Sequence, residues 1–175
     1  MLKIILQAPR KIPPFNVTAR ELAIQAQPLW LLQKNILAPY TTRELELLPH
    51  QRLPLLREPM LVYRDNLFFD EYYIAEFISQ AKRRGRPVRA AFSIDDPAFR
   101  EHALPRSVSY TPAGNIYLVD LWYYPNGPEA DVDPLIIDMQ AKEVGYYHVP
   151  TYMADQRGDL VYQVPRRALM AIDCW

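Results

Sequence analysis

Three sets of acidic positions carry the chemistry that this sequence could support. Arg64-Asp65-Asn66 follows Met60-Leu61-Val62-Tyr63, an apolar run that reads as a strand, and open α/β sheets receive ligands at the carboxyl ends of their parallel strands. Asp65 there suits a metal-bound phosphate or a sugar hydroxyl, with Arg64 supplying charge. The structural alternative is an Asx turn that organises residues 64–69. Asp95-Asp96-Pro97 closes the next apolar run, Val88 to Ile94. If those two strands are neighbours, these acids approach Asp65, and carboxylates gathered in this way can hold Mg²⁺. Asp-Pro is equally a good helix start. Asp120 lies within Asn115 to Tyr124. Alternation puts Ile116, Leu118, Asp120 and Trp122 on one face and Tyr117, Val119, Leu121 and Tyr123 on the other. Both faces are mostly apolar, so Asp120 is expected to be buried and to need a partner, which could be a ligand, a metal, or Arg or Tyr side chains of the core.

Other catalytic patterns are absent. His50, His102 and His148 have no helical i, i+4 spacing and no cysteine partners, which argues against a structural zinc site. No Gly-x-Ser-x-Gly surrounds Ser93, Ser107 or Ser109, so a hydrolase triad is unsupported. Neither Gly-x-Gly-x-x-Gly nor the Walker lysine pattern occurs. Several of the 12 tyrosines could stack on sugars or bases, but they fit half-buried sheet positions better, and their abundance also suits an interface.

The elements that position these residues follow from periodicity and punctuation. Leu2 to Leu6 reads as a buried strand, followed by a connector through Pro9, Pro13 and Pro14. Thr18-Ala19-Arg20-Glu21 matches a capping box, predicting a helix from about Ala19. A second helix is expected over Leu29 to Leu37, with Pro28 in its first turn. Residues 40–58 read as an irregular connection. Asp70 caps a helix with apolar positions Tyr73, Ile74, Phe77, Ile78 and Ala81, closed by Lys82-Arg83-Arg84 and Gly85. Together with Met60–Tyr63 and Val88–Ile94 this forms a βαβ unit of a parallel sheet. Beyond Pro97 the chain reads as short strands: 115–124, a hairpin of 135–139 with 144–149 that carries Asp138 and His148, then 160–164 and 168–172. The fold class expected is α/β, a Rossmann-like mixed sheet with a parallel βαβ first half and a β-rich, largely antiparallel second half.

A length of 175 residues fits one domain, 1–175. Lys plus Arg equals Asp plus Glu at 20 each, so no net field favours nucleic acid. A lone cysteine, Cys174, excludes an internal disulfide framework. The opening run is too short for a signal peptide, and no stretch reaches the roughly 18 apolar residues of a membrane span, so a cytoplasmic location without membrane contact is expected.

Three segments carry a resemblance: Pro14-Phe15-Asn16-Val17-Thr18-Ala19-Arg20-Glu21-Leu22, Leu61-Val62-Tyr63-Arg64-Asp65-Asn66-Leu67-Phe68-Phe69-Asp70, and Ala171-Ile172-Asp173-Cys174-Trp175. Together they resemble the sugar-nucleotidyltransferase-like domains that precede left-handed β-helix acyltransferase-like modules in some bacterial proteins. The resemblance implies a nucleotide or sugar phosphate ligand, Mg²⁺, and a homo-oligomer built through a C-terminal β-helix. It places Arg10 and Lys11 near a triphosphate, Asp65 and Asp120 on Mg²⁺, and Arg64 and Asn66 against the substrate. One departure stands out. Active members of the superfamily carry a Gly-rich loop after the first strand, where this chain has Ala8-Pro9-Arg10-Lys11-Ile12-Pro13-Pro14, and proline supplies no amide to a phosphate. The sequence therefore leaves three readings: a nucleotidyltransferase, a degenerate binding or assembly module without turnover, and a purely structural interaction domain.

Overall fold

The structure is a computed structural model that describes residues 1–145, 152 and 161–174. Strand β1 (Leu2–Leu6) leads into a two-residue pair, β2 (Lys11–Ile12) with β3 (Val17–Thr18). The helix expected from Ala19 is a single 3₁₀ turn, Ala19–Glu21, although its capping box is formed. Tertiary packing overrides the local signal. Ala19 and Leu22 join Ile12 and Leu29 in a small core, and a hairpin of β4 (Ala23–Ile24) and β5 (Gln27–Pro28) turns through Gln25 and Ala26 at φ 53° and 62°. Helix α1 (Leu29–Leu37) then starts behind Pro28, as expected.

Residues 40–58 depart from expectation, because they contain β6 (Arg43–Leu47). Four of its five residues are exposed, and its pattern is too polar to stand out. Among the described residues it pairs only with β1, in parallel, and forms one edge of the sheet. Strand β7 (Met60–Arg64) pairs in parallel with the other side of β1, and β8 (Leu67–Phe69) follows. Helix α2 (Glu71–Arg84) has every predicted feature: the Asp70 carboxylate accepts from the Tyr73 amide, the five predicted apolar positions are buried, and Gly85 ends it at φ 65°.

Strand β9 (Val88–Ser93) completes the β-α-β sequence with a difference. Strand β10 (Thr111–Ala113) is paired with β11 (Ile116–Tyr124), and β11 inserts antiparallel between β7 and β9. The two parallel strands are thus two interstrand spacings apart, about 10 Å. Asp95 and Asp96 consequently do not sit on a strand next to Asp65. Asp96 instead caps the turn that follows, its Oδ1 accepting from the Phe99 amide at 3.0 Å.

Among the described residues the expected hairpin around Gln140 does not form. Strand β12 (Asp133–Ile136) pairs in parallel with β9, and β13 (Lys142–Gly145) pairs with β14 (Val161–Val164). Asp138 turns the chain out of the sheet by accepting from the Gln140 amide at 2.7 Å, with Gln140 at φ 51°. Residues 146–149 of that expectation, including His148, lie outside the described residues. Finally, β15 (Leu169–Ala171) pairs with β8.

Among the described residues the main sheet has seven strands, in the order β12-β9-β11-β7-β1-β6 with β10 against β11. It is the mixed α/β sheet expected, parallel around β1 and antiparallel around β11. The larger core lies on the α2 face, where Phe77, Ile78 and Tyr73 meet Tyr63, Phe92 and Leu121. On the opposite face Leu2, Ile4, Met60, Val62 and Tyr124 form a smaller cluster. Among the described residues no helix is long and apolar enough to cross a membrane.

Candidate functional site

Arg64-Asp65-Asn66 emerges from the carboxyl end of β7, beside the carboxyl end of β1, and its three side chains part company. Asp65 is buried and ties the two strand ends together. Its amide donates to the Leu6 carbonyl at 3.0 Å and its Oδ1 accepts from the Ala8 amide at 2.7 Å. From α1 the buried Gln33 donates Nε2 to the carbonyls of Asp65 and Leu67, at 3.1 and 2.6 Å. Asp65 Oδ2 lies 3.8 Å from Arg20, whose guanidinium also meets both oxygens of Glu46 at 3.1 Å. Burial pushes the Asp65 carboxyl above its ordinary range, against the pull of the Ala8 amide and Arg20.

Arg64 turns to the other sheet face, where its Nε donates to Asp120 Oδ2 at 2.6 Å. Arg89 from β9 donates to Asp120 Oδ1 at 2.7 Å and to the Val119 carbonyl at 2.9 Å. That carbonyl is freed because the β9–β11 register shifts between Leu118 and Trp122. Arg89 also stacks over Trp122, 4.9 Å from the ring centroid. Asp120 is buried, as its position in the alternation predicts, and both its oxygens are held by arginines.

Asn66 faces a third direction. It is 3 % exposed, and its Nδ2 donates to Asp173 Oδ1 at 2.9 Å and to Ser109 Oγ at 3.3 Å. Asp173 accepts five bonds in all, from Asn66, the Ser107 and Ser109 hydroxyls, and the Val108 and Ser109 amides. Burial alone would raise this carboxyl, but the hydrogen bonds outweigh it and hold Asp173 below the usual carboxylate range. Arg10, Ile12, Arg64, Asn66, Ser109 and Asp173 line one cleft of about 240 Å³ at the carboxyl ends of β1 and β7.

The structure thus brings Arg10, Arg64 and Asn66 together and leaves Lys11 exposed on β2, outside the cleft lining. Asp65 and Asp120 do not line the cleft either. Asp65 faces a separate pocket of about 220 Å³ with Lys3, Arg20, Trp30, Gln33 and Glu46. Sequence reasoning missed Asp173, Ser107 and Ser109 as site residues. A signal existed in the acid directly after the apolar run that ends at Ile172. Gln33 could also have been found, since Leu29, Gln33 and Leu37 share one buried helix face.

These donors do not fit Mg²⁺. A hard dication needs carboxylate oxygens turned towards it, whereas both Asp120 oxygens face guanidinium groups and Asp65 is engaged by Ala8 and Arg20. Among the described residues no three His, Cys, Asp or Glu side chains are grouped so as to hold an ion.

No protein-family model matches the chain, and no curated protein matches it. Solved structures with a similar chain trace include a protein from Bacillus anthracis assigned as a glucose-1-phosphate thymidylyltransferase, in complex with sucrose. It is 12 % identical over 71 % of this chain and 72 % of that one, with a TM-score of 0.43. A mannose-1-phosphate geranyltransferase from Thermus thermophilus is 12 % identical over 70 % of this chain and 56 % of its own, with a TM-score of 0.46. A UDP-glucose pyrophosphorylase complexed with UDP-glucose is 10 % identical over 71 % and 76 %, with a TM-score of 0.44. At this level of likeness no residue role transfers, and the fold class rests on the sheet order described above.

Proposed function

We propose that this domain is a noncatalytic binding module of nucleotidyltransferase-like design, which holds a sugar phosphate or nucleotide in the Arg10–Asn66–Asp173 cleft. The observation that carries the reading is the division of charge around β7. The cleft is lined by Arg10, by Asn66, by Asp173, whose carboxylate is matched by five donors, and by Arg64, whose guanidinium is paired with Asp120, while Asp65 and Asp120, the acids that nucleotidyl transfer would place on Mg²⁺, do not line it and are matched by arginines. Arg10 has no ion-pair or hydrogen-bond partner among the described residues and supplies the free cation for a phosphate. The first loop supports the same reading, since Pro9, Pro13 and Pro14 offer no amide and Ala8 gives its own to Asp65.

A thermal-shift series with nucleoside triphosphates, nucleotide sugars and sugar phosphates, each with and without Mg²⁺, tests the proposal alongside an assay for pyrophosphate release. A ligand at 100 times its dissociation constant stabilises by about 2.7 kcal/mol. The expected result is a shift that does not depend on Mg²⁺, is lost in Arg10→Ala, and comes without turnover. Mg²⁺-dependent pyrophosphate release that is abolished by Asp65→Asn would restore the enzymatic reading. No shift with any ligand would favour an assembly domain.

A further inference from the structure

We infer that the pocket between α1 and strands β1 and β6 binds a free α-amino acid with an apolar side chain, holding its ammonium group at Asp65 and Gln33 and its carboxylate at Lys34. This pocket is separate from the Arg10–Asn66–Asp173 cleft, and the inference does not depend on what that cleft holds.

Two hydrogen-bond acceptors in this pocket have nothing to accept. Gln33 and Asp65 both line it, and they are only 1 % and 2 % exposed. The Gln33 amide has a fixed orientation, because its Nε2 donates to the carbonyls of Asp65 and Leu67, and a carbonyl only accepts. Its Oε1 is left without a hydrogen-bond partner among the described residues. So is Asp65 Oδ2, from which Arg20 stands 3.8 Å away, too far for a hydrogen bond. Unlike Asn66 Oδ1 and the Tyr73 hydroxyl, neither oxygen is shut off from solvent. Burial holds the Asp65 carboxyl above its ordinary range, since the Ala8 amide and Arg20 offset it only in part. Acceptors this deep are seldom left unpaired. A primary ammonium, with a positive charge and three N–H donors, completes both oxygens at once.

Charge balance around the pocket supplies the rest of the ligand. Three cations, Lys3, Arg20 and Lys34, and three acids, Glu44, Glu46 and Asp65, line it. Lys3 is paired with Glu44 at 2.5 Å, and Arg20 holds both oxygens of Glu46 at 3.1 Å. What remains is one anion, Asp65, and one cation, Lys34, which has no ion-pair partner among the described residues. A zwitterion matches both and adds no net charge, whereas a phosphate or nucleotide would bring more negative charge than Lys34 can offset. Trp30, half-exposed on α1, and Ile5 from β1 offer an apolar wall for a side chain. The volume of about 220 Å³ falls short of the roughly 300–1,000 Å³ of pockets for drug-sized ligands, which suits a single amino acid better than a peptide.

The test is calorimetric titration of the intact chain with leucine and phenylalanine, with their amides, which lack the carboxylate, and with their deamino acids, which lack the ammonium. The expected result is that at least one amino acid binds, and that its deamino acid is weaker by about tenfold or more, the worth of a hydrogen bond to a charged group. Lys34→Ala, on the exposed side of α1, should weaken the amino acid but not its amide. Asp65→Asn, which keeps an acceptor for the Ala8 amide, should weaken both. The ligand analogues and Lys34→Ala keep the inference testable even if Asp65→Asn fails to fold. A deamino acid that binds as tightly as its amino acid would overturn the inference. Amino-acid binding that Lys34→Ala leaves unchanged, or no binding by either amino acid, would overturn it as well.

Discussion

Asn66 and Asp173 lie 107 positions apart in the chain, and the amide of one donates to the carboxylate of the other at 2.9 Å. The contact closes the chain on itself. It joins the turn after β7 to the residues after β15, and the Ser107–Ser109 loop enters the same cluster through four further bonds to Asp173. A single carboxylate therefore holds together three distant segments of the cleft wall, to which the loop after β1 adds Arg10 and Ile12.

Replacing Asp173 with Ala should destabilise the protein by about 2–4 kcal/mol, because several donors lose a charged acceptor at once. The pH dependence has a definite sign. The folded-state pKa is lowered, so the Asp173 contribution is complete above the ordinary carboxylate value and is lost as pH falls through the lowered one. Urea denaturation across that range should show the gap between wild type and variant closing on acidification; a gap that widens would contradict the assignment.

Asp65 should behave in the opposite sense. Burial raises its folded-state pKa, so the folded protein takes up the proton first and is relieved of a disfavoured charge. Relative to Asp65→Asn, which can still accept from the Ala8 amide, wild type should gain stability as pH drops from neutral through that raised value. Paired denaturation curves at neutral and acid pH measure this. A wild-type advantage that shrinks on acidification would mean that the Arg20 attraction outweighs burial.

Asp120→Ala leaves Arg64 and Arg89 facing each other without their shared carboxylate. Because the Arg64 side chain is 40 % exposed and water can screen it, the expected loss is about 2 kcal/mol, short of the roughly 3–5 kcal/mol typical of fully buried pairs. Arg89 retains Trp122 and the Val119 carbonyl, so β11 should keep its place in the sheet. A variant as stable as wild type would show that the two ion pairs contribute nothing net.

Two glycines with positive φ should respond differently to alanine. Gly85 at φ 65° has open space where an alanine methyl would sit, so only backbone strain counts, about 1 kcal/mol. Gly127 at φ 97° faces the Leu56 backbone, and a Cβ there would overlap the Leu56 carbonyl oxygen. Gly127→Ala should therefore cost at least about 3 kcal/mol and loosen residues 48–58 over the smaller core. Thermal denaturation of both variants gives the comparison, and equal losses would mean that the segment yields freely.

Features set by neighbours along the chain were legible in the sequence. Helix α2 could be read with its Asp70 cap, its buried stripe and its Gly85 stop, because each depends on residues within a turn or two. The alternation of β11 placed Asp120 in a buried setting in the same way. Strand β6 escaped notice because an edge strand with one neighbour needs little apolar character. The helix expected at Ala19 gave way to the β4–β5 hairpin, which returns the chain so that the Leu29 amide donates to the Leu22 carbonyl at 2.9 Å and both side chains enter one core.

The sequence by itself determined the α/β class, the strands around β1 and β7, and the residue types at the carboxyl end of β7. Those are consequences of hydrophobic period and capping, which act over a few residues. Only the tertiary structure decided that β11 separates β7 from β9, that Arg64 and Arg89 share Asp120, and that Asp173 reaches Asn66 to complete the cleft. Each of these is a pairing across tens of residues, chosen by which buried polar groups can be satisfied together once the core has formed, and no local pattern in the chain records that choice.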